Sequence, residues 1–278
     1  MDKKLISFGH GYTARELARR LGPEWAILGT TRNADKAGAL RAEGITPLLW
    51  KDPIPTEFAS ASHILVSAGP DENGDPVLAE YGAALARMTP EWVGYLSTTG
   101  VYGDHGGEWV NENTPLTPST KRGKARVAAE AAWQDTNLPL HIFRLAGIYG
   151  PGRGPFAKVR NGTARRIIKE GQVFSRTHVE DIAQVLHASM HAPNPGTAYN
   201  VCDDDPAPPQ DVIAYAAKLL GLPIPPEVPF GQAELSPMAR SFYAEFKRVR
   251  NDRIKEDLAV SLRYPTYREG LNALIALE

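Results

Sequence analysis

The residues with the plainest chemical meaning stand near the start of the chain, where Gly9-His10-Gly11-Tyr12-Thr13-Ala14 fits the pattern G-x-G-x-x-A. A glycine at the first position permits a tight turn. One at the second lets backbone approach a pyrophosphate with no Cβ in the way, and a small residue at the last lets a helix pack closely on a strand. The helix that follows would present unpaired N–H groups and the positive end of its dipole to phosphate oxygens. On this reading Gly9, Gly11, Tyr12 and Thr13 bind a dinucleotide; a strand-to-helix turn without a ligand is the alternative. About 20 residues further on, a site for NAD places Asp or Glu on the ribose 2′-hydroxyl. Here Gly29-Thr30-Thr31-Arg32-Asn33 offers no carboxylate. The Arg32 guanidinium can pair with a 2′-phosphate and the Thr30 and Thr31 hydroxyls can donate to it, so NADP is the expected cofactor and NAD the second choice. The other reading of Arg32 is a solvated charge opening the next helix. Asp52 could accept from an adenine amino group or cap a short helix after it. Ala68 and Gly69 are small enough to lie against a dinucleotide.

These residues need a parallel sheet to position them. Short apolar runs at Leu5–Phe8, Ala26–Gly29, Ile45–Trp50, His63–Val66, Val93–Leu96 and His141–Leu145 alternate with helical patterns, as repeated βαβ units do. Ala14, Leu17, Ala18 and Leu21 fall on one helical stripe that can pack on such a sheet. Pro118–Asp135 reads as a longer helix, Gly147–Pro155 as a Gly- and Pro-rich loop, and Asp181–Met190 as a helix. A strand at Ala198–Cys202 and a helix at Gln210–Leu220, closed by Gly221, follow. The proline-rich stretch Leu222–Pro229 reads as a connector, and Phe242, Tyr243 and Phe246 as the aromatic face of a C-terminal helix. The expected fold class is α/β, a Rossmann-type doubly wound parallel sheet with a smaller C-terminal substrate lobe.

The residues resemble the extended branch of the short-chain dehydrogenase/reductases, the sugar-nucleotide epimerase and dehydratase relatives. The resemblance rests on motifs in family order: Gly9–Ala14, Leu96–Gly103 (LSTTGVYG), Arg144–Arg153 (RLAGIYGPGR), Thr177–Ala183 (THVEDIA) and Tyr199-Asn200-Val201. It implies a cofactor over the C-terminal edge of the sheet, a dinucleotide-binding core of 1–148 plus about 177–203 with a substrate lobe of about 149–176 plus 204–278, and catalysis by a Ser or Thr, a Tyr and a Lys four residues after the Tyr. Thr98 matches the hydroxyl position; it either bonds a substrate carbonyl or satisfies backbone at the strand end. The Tyr and Lys positions, counted back from Glu130, fall on Arg122 and Arg126. Tyr243 and Lys247 have the right spacing but lie far downstream. An arginine stays protonated, so Arg122 cannot act as a titrating acid, whereas Arg126 can still donate to ribose hydroxyls. Tyr102, Tyr149 or water would then supply the proton. With Lys121 and Lys124 the helix start is cationic and suits an anionic substrate; the plainer alternative is a solvated face with an Arg126–Glu130 pair.

Other chemistry finds little footing. Lys plus Arg (31) nearly balance Asp plus Glu (32), so there is no nucleic-acid footprint. A single cysteine, Cys202, excludes a disulfide framework and a thiolate cluster. No metal is expected: the histidines are scattered, and His178 with Asp181 reads as a loop tied to a helix start. Leu65 replaces the first glycine of a G-x-S-x-G elbow, and Pro118 the first glycine of a phosphate loop ending at Gly123-Lys124. No apolar run approaches the ~18 residues of a membrane span, and a cytoplasmic location is expected. A small-molecule substrate is the expected partner, and a homodimer is allowed. The leading expectation is an NAD(P)-dependent, epimerase/dehydratase-like oxidoreductase with a non-standard active site, acting on a small polar or nucleotide-linked substrate. Its competitor is a non-catalytic NADP-sensing regulator, which the similarity of Thr31-Arg32-Asn33 to redox-sensing relatives also suggests.

Overall fold

The computed structural model describes residues 3–277. In chain order the strands are β1 (Lys4–Phe8), β2 (Ala26–Thr31), β3 (Thr46–Leu49), β4 (His63–Val66), β5 (Trp92–Thr98), β6 (Trp109–Val110), β7 (Leu140–Leu145), β8 (Gly147–Tyr149), β9 (Arg166–Ile168), β10 (Arg176–His178), β11 (Ala198–Val201), β12 (Glu227–Pro229) and β13 (Arg248–Val249). The helices are α1 (Tyr12–Leu21), α2 (Asp35–Ala42), α3 (Pro76–Leu85), α4 (Lys121–Gln134), α5 (Phe156–Arg160), α6 (Val179–His191), α7 (Pro209–Leu219), α8 (Pro237–Phe242), α9 (Asp252–Glu256) and α10 (Tyr267–Ile275).

Seven strands form one sheet in the order β11-β7-β5-β4-β1-β2-β3, and every pair in it is parallel. Such a sheet must be covered on both faces, which is why β4, β5 and β7 are continuous buried runs without an exposed alternate residue until Thr98. On one face Ala14, Leu17 and Leu21 of α1 pack with Ile182, Ala183 and Leu186 of α6. On the other, Val77, Tyr81 and Leu85 of α3 pack with Ala129 and Trp133 of α4. The strand order reverses between β1 and β4, and in open α/β sheets the crevice at that reversal, beyond the carboxyl ends of the strands, is where ligands bind. A further core joins Tyr149, Phe156, Val159, Ala216, Tyr267 and Leu271, tying α5, α7 and α10 together beside the sheet.

Three expectations are corrected. Gly147–Pro155 is not all loop: β8 pairs in parallel with β10, about thirty residues away, a partnership no local pattern announces. The connector Leu222–Pro229 ends in β12, which pairs with β9. No helix carries Phe242, Tyr243 and Phe246 on one face. Instead α8 stops at Phe242, Phe246 is held by Asp104, and β13 pairs with β6. No helix among the described residues is long and apolar enough to cross a membrane.

Candidate functional site

At the strand-order reversal the end of β1 turns sharply into α1. Gly9 has φ +78°, and a Cβ there would lie 2.8 Å from the Ala68 nitrogen, so the turn admits only glycine without strain. The Gly9 amide donates to the Thr30 hydroxyl at 2.7 Å, which fixes the loop to β2. Thr30, expected with Thr31 to donate to a 2′-phosphate, is buried with its oxygen accepting from Gly9, so it serves the loop, whereas Thr31 is partly exposed. Gly11 starts α1 with no side-chain cap, and there is no acid in the first turn. The first intrahelical bond of the turn is Arg15 N–H to Gly11 C=O, so the amides of Tyr12, Thr13 and Ala14 have no partner within the helix. Unpaired amides at a helix start are the groups that can bind an anion. Within the loop His10 is buried with both ring nitrogens unpartnered, its Cβ only 2.9 Å from where a Gly29 Cβ would be. Burial, reinforced by Arg15, pulls this imidazole down to about 4, so it is neutral at physiological pH.

Around this loop the other expected residues fall at one edge of the sheet. Thr13 is buried, while Arg32 is exposed and makes no ion pair among the described residues. Thr31 bonds both backbone groups of Asn33 at 3.2 Å, so its hydroxyl shapes the turn that presents Arg32. Asp52 is exposed and does not cap a helix: the next helical turn begins at Thr56, after Pro55 and without a side-chain cap. Ala68 and Gly69 follow β4, and a Cβ on Gly69 would lie 2.9 Å from the Arg126 Nη2.

Arg126 crosses from α4 to the end of β5. Its Nη1 donates to the Leu96 carbonyl at 2.7 Å and to the Tyr95 hydroxyl at 3.2 Å, with the guanidinium 5.6 Å from the Tyr95 ring centroid. Burial, only partly offset by that guanidinium, pushes the Tyr95 hydroxyl up to about 12. Arg126 thus offers its remaining N–H groups beside Gly69 as a fixed cation. The alternative Arg126–Glu130 pair is absent, because Glu130 is buried and its carboxylate is taken by Arg144 at 2.9 Å and by the Ser97 hydroxyl. Arg144 also reaches the Tyr102 hydroxyl at 3.0 Å, and Tyr102 donates to Asn200 at 2.7 Å. This network locks the end of β5 to α4, β7 and β11. Thr98, half-buried at its end, accepts from the Gly100 amide at 3.2 Å. That bond uses an oxygen lone pair and leaves the hydroxyl proton for another acceptor. Arg122 is exposed, with its guanidinium 5.9 Å from the ring centroid of Phe242.

Neither candidate tyrosine reaches this edge as a proton source. Tyr102 is fully buried in the Glu130–Arg144 network, and Tyr149 is buried against α10 with its pKa driven up by burial. Tyr243 and Lys247 do not form a helical pair: Lys247 binds the Gly103 carbonyl at 2.7 Å and Glu245 at 3.0 Å. His178 and Asp181 each serve the backbone, His178 capping α6 and Asp181 accepting from the amides of Arg263 and Tyr264. No group of three or more His, Cys, Asp or Glu among the described residues is placed to hold a metal ion.

No protein-family model matches the chain. A solved structure of a functionally unknown conserved protein from Silicibacter pomeroyi is 63% identical, with a TM-score of 0.94 over 99% of this chain and 98% of that one. The UDP-glucuronic acid 4-epimerase of Bacillus cereus, solved with UDP-glucuronic acid and NAD, superposes with a TM-score of 0.79 over 98% of both chains. At 15% identity that likeness concerns the fold alone. Protein YeeZ of Escherichia coli K12 is 31% identical over 245 residues, covering 80% of this chain and 86% of that protein. The chain therefore belongs to the family of Protein YeeZ, built on the Rossmann-type fold of the epimerase and dehydratase proteins.

Proposed function

We propose that this chain is a cytoplasmic NAD(P)-binding, epimerase/dehydratase-like oxidoreductase that prefers NADP and acts on a small polar or nucleotide-linked substrate. The observation that carries the reading is the loop at Gly9, pinned between Thr30 and Ala68 and followed by an uncapped helix start at the strand-order reversal. Gly9, Gly11, Tyr12 and Thr13 would hold the diphosphate, Ala68 and Gly69 would lie under the nicotinamide half, and Arg126 would donate to its ribose. Asp52 would face the adenine. Arg32, unpaired and exposed, would take the 2′-phosphate with Thr31 setting its turn. When bound, the nicotinamide supplies hydride chemistry. Thr98 would then orient a substrate oxygen with its unspent proton, and Arg122 would hold an anionic group at the mouth, beside a substrate lobe drawn from 149–176 and 204–278.

Fluorescence titration tests this directly. NADPH is expected to bind more tightly than NADH, and Arg32→Ala is expected to erase that preference, a change of about tenfold for a charge-assisted bidentate pair. No affinity for either dinucleotide would end the proposal.

A second reading has its own support: Arg126 carries a fixed charge, and Tyr102 and Tyr149 are buried in the interior, so neither tyrosine expected as a proton donor is free to serve Thr98. That favours an NADP-sensing regulator without turnover. The readings separate on a carbonyl and sugar-nucleotide panel, where NADPH oxidation abolished by Thr98→Ala supports the enzyme. Tight NADPH binding without any turnover supports the regulator.

A further inference from the structure

The turn after β8 carries a cation to the start of α1. The amide of Gly150 donates to the Arg153 carbonyl and the amide of Arg153 to the Gly150 carbonyl, both at 2.9 Å, so Gly150–Arg153 is a closed turn. It is fastened to α1 through Tyr12, whose hydroxyl donates to the Pro151 carbonyl at 3.0 Å. Gly150 has φ +154°, and a Cβ there would stand 2.5 Å from the Tyr12 hydroxyl oxygen, so the close approach depends on glycine. Above the Tyr12 ring lies the Arg153 guanidinium, 5.7 Å from its centroid.

That guanidinium is exposed and has no ion-pair partner among the described residues. The carboxylates whose charges act on Tyr12 are already committed: Glu16 to Arg19 at 2.6 Å and Glu180 to Arg263 at 2.8 Å. Tyr12 is the first residue of α1, so the cation is stacked on the side chain of the residue that opens the helical turn whose amides lack partners. Stacking on an aromatic face restrains the side chain in advance, which reduces the entropy lost when an anion is bound. A planar guanidinium also matches two phosphate oxygens at once.

We propose that Arg153 is a diphosphate-binding residue for the dinucleotide, presented over the glycine loop by the Gly150–Arg153 turn and held there by Tyr12. This rests on the dinucleotide reading above and goes beyond it. The diphosphate would be gripped from α1 by amides and from the opposite side by a residue outside the Rossmann sheet.

Fluorescence titrations with NADPH and NADH, and calorimetric titration with adenosine 2′-monophosphate, test it. Arg153→Gln is expected to weaken NADPH and NADH by the same factor, about tenfold, and to leave adenosine 2′-monophosphate, which has no diphosphate, unchanged. Arg153→Lys keeps the charge without the fork and is expected to fall between wild type and Arg153→Gln. Arg32→Gln should show the opposite pattern, weakening NADPH and adenosine 2′-monophosphate while sparing NADH. Wild-type binding of both dinucleotides with no loss in Arg153→Gln overturns the assignment of Arg153 alone. Absence of dinucleotide binding to the wild type overturns the underlying reading and this inference with it.

Discussion

Glu130 shows how a single side chain sets the geometry of the candidate site from below. It is 3% exposed, paired with Arg144 at 2.9 Å and bonded by Ser97, the residue next to Thr98. A buried pair of this kind contributes little relative to an apolar replacement, but breaking it leaves an uncompensated charge at about 3–5 kcal/mol. Glu130→Ala is therefore expected to lower the unfolding free energy by about 3 kcal/mol or more. Adding Arg144→Met to it should recover part of that loss. Urea denaturation of both variants checks this, and a loss below about 1 kcal/mol in Glu130→Ala would mean that the pair does not carry the junction. The i,i+4 spacing of Arg126 and Glu130 invites a helical ion pair, yet a neighbouring strand supplies the better partner. Arg126 then turns to Leu96 and Tyr95. Residue spacing shows which contacts are possible; tertiary packing chooses among them.

At the scale of elements, what is legible in the sequence is what is locally encoded. The turn at Gly9 is legible because a positive φ favours glycine whatever surrounds it, and the stripe at Leu17 and Leu21 because helical period is a local property. β8 and β10 are hidden because three-residue strands have no readable period and their pairing joins Ile148 to Thr177. Phe242, Tyr243 and Phe246 imitate a helical face, but the backbone of Phe246 is claimed by Asp104, His105 and Gly107, which draws the chain out straight. Arg153 is part of a motif in the sequence but takes no role from it, since its stacking on Tyr12 joins two segments far apart along the chain. The glycine loop also gives a sharp expectation. A Cβ at position 9 must sit at φ +78° and 2.8 Å from backbone that cannot swing away. Gly9→Ala is thus expected to cost about 2 kcal/mol in stability and to abolish dinucleotide binding, whereas Gly38→Ala, with open space around it, should harm neither. Chemical denaturation paired with NADPH titration reads both effects; normal binding by the Gly9→Ala variant would show that the pinned loop is not the phosphate cradle.

Over the whole molecule, burial of imidazoles ties the fold to pH. His10 in the glycine loop, His63 between Trp25 and Trp92, and His178 at the start of α6 stand on different elements. Burial, the largest cause in each case, pulls all three from 6.5 down to about 4. The folded state therefore resists protons that the unfolded chain accepts. The stabilisation from neutral imidazoles is complete above pH 6.5 and is lost as pH falls from 6.5 toward 4, at about 1 kcal/mol per pH unit for each histidine. Asp181 and Asp203 act in the opposite sense, since burial raises both, so folding favours their protonated forms and their contribution is lost as pH rises through the raised values. These carboxyls can offset the histidines only in part, and the unfolding midpoint in urea is expected to fall steadily from about pH 7 to about pH 5. His10 is the cleanest probe because neither of its ring nitrogens has a partner to lose. His10→Met, measured without nucleotide, should flatten the slope between about pH 6.5 and 5 by about 1 kcal/mol per pH unit. A slope unchanged from wild type would mean that this imidazole takes up its proton in the folded protein, and that the glycine loop is wetter than its burial implies.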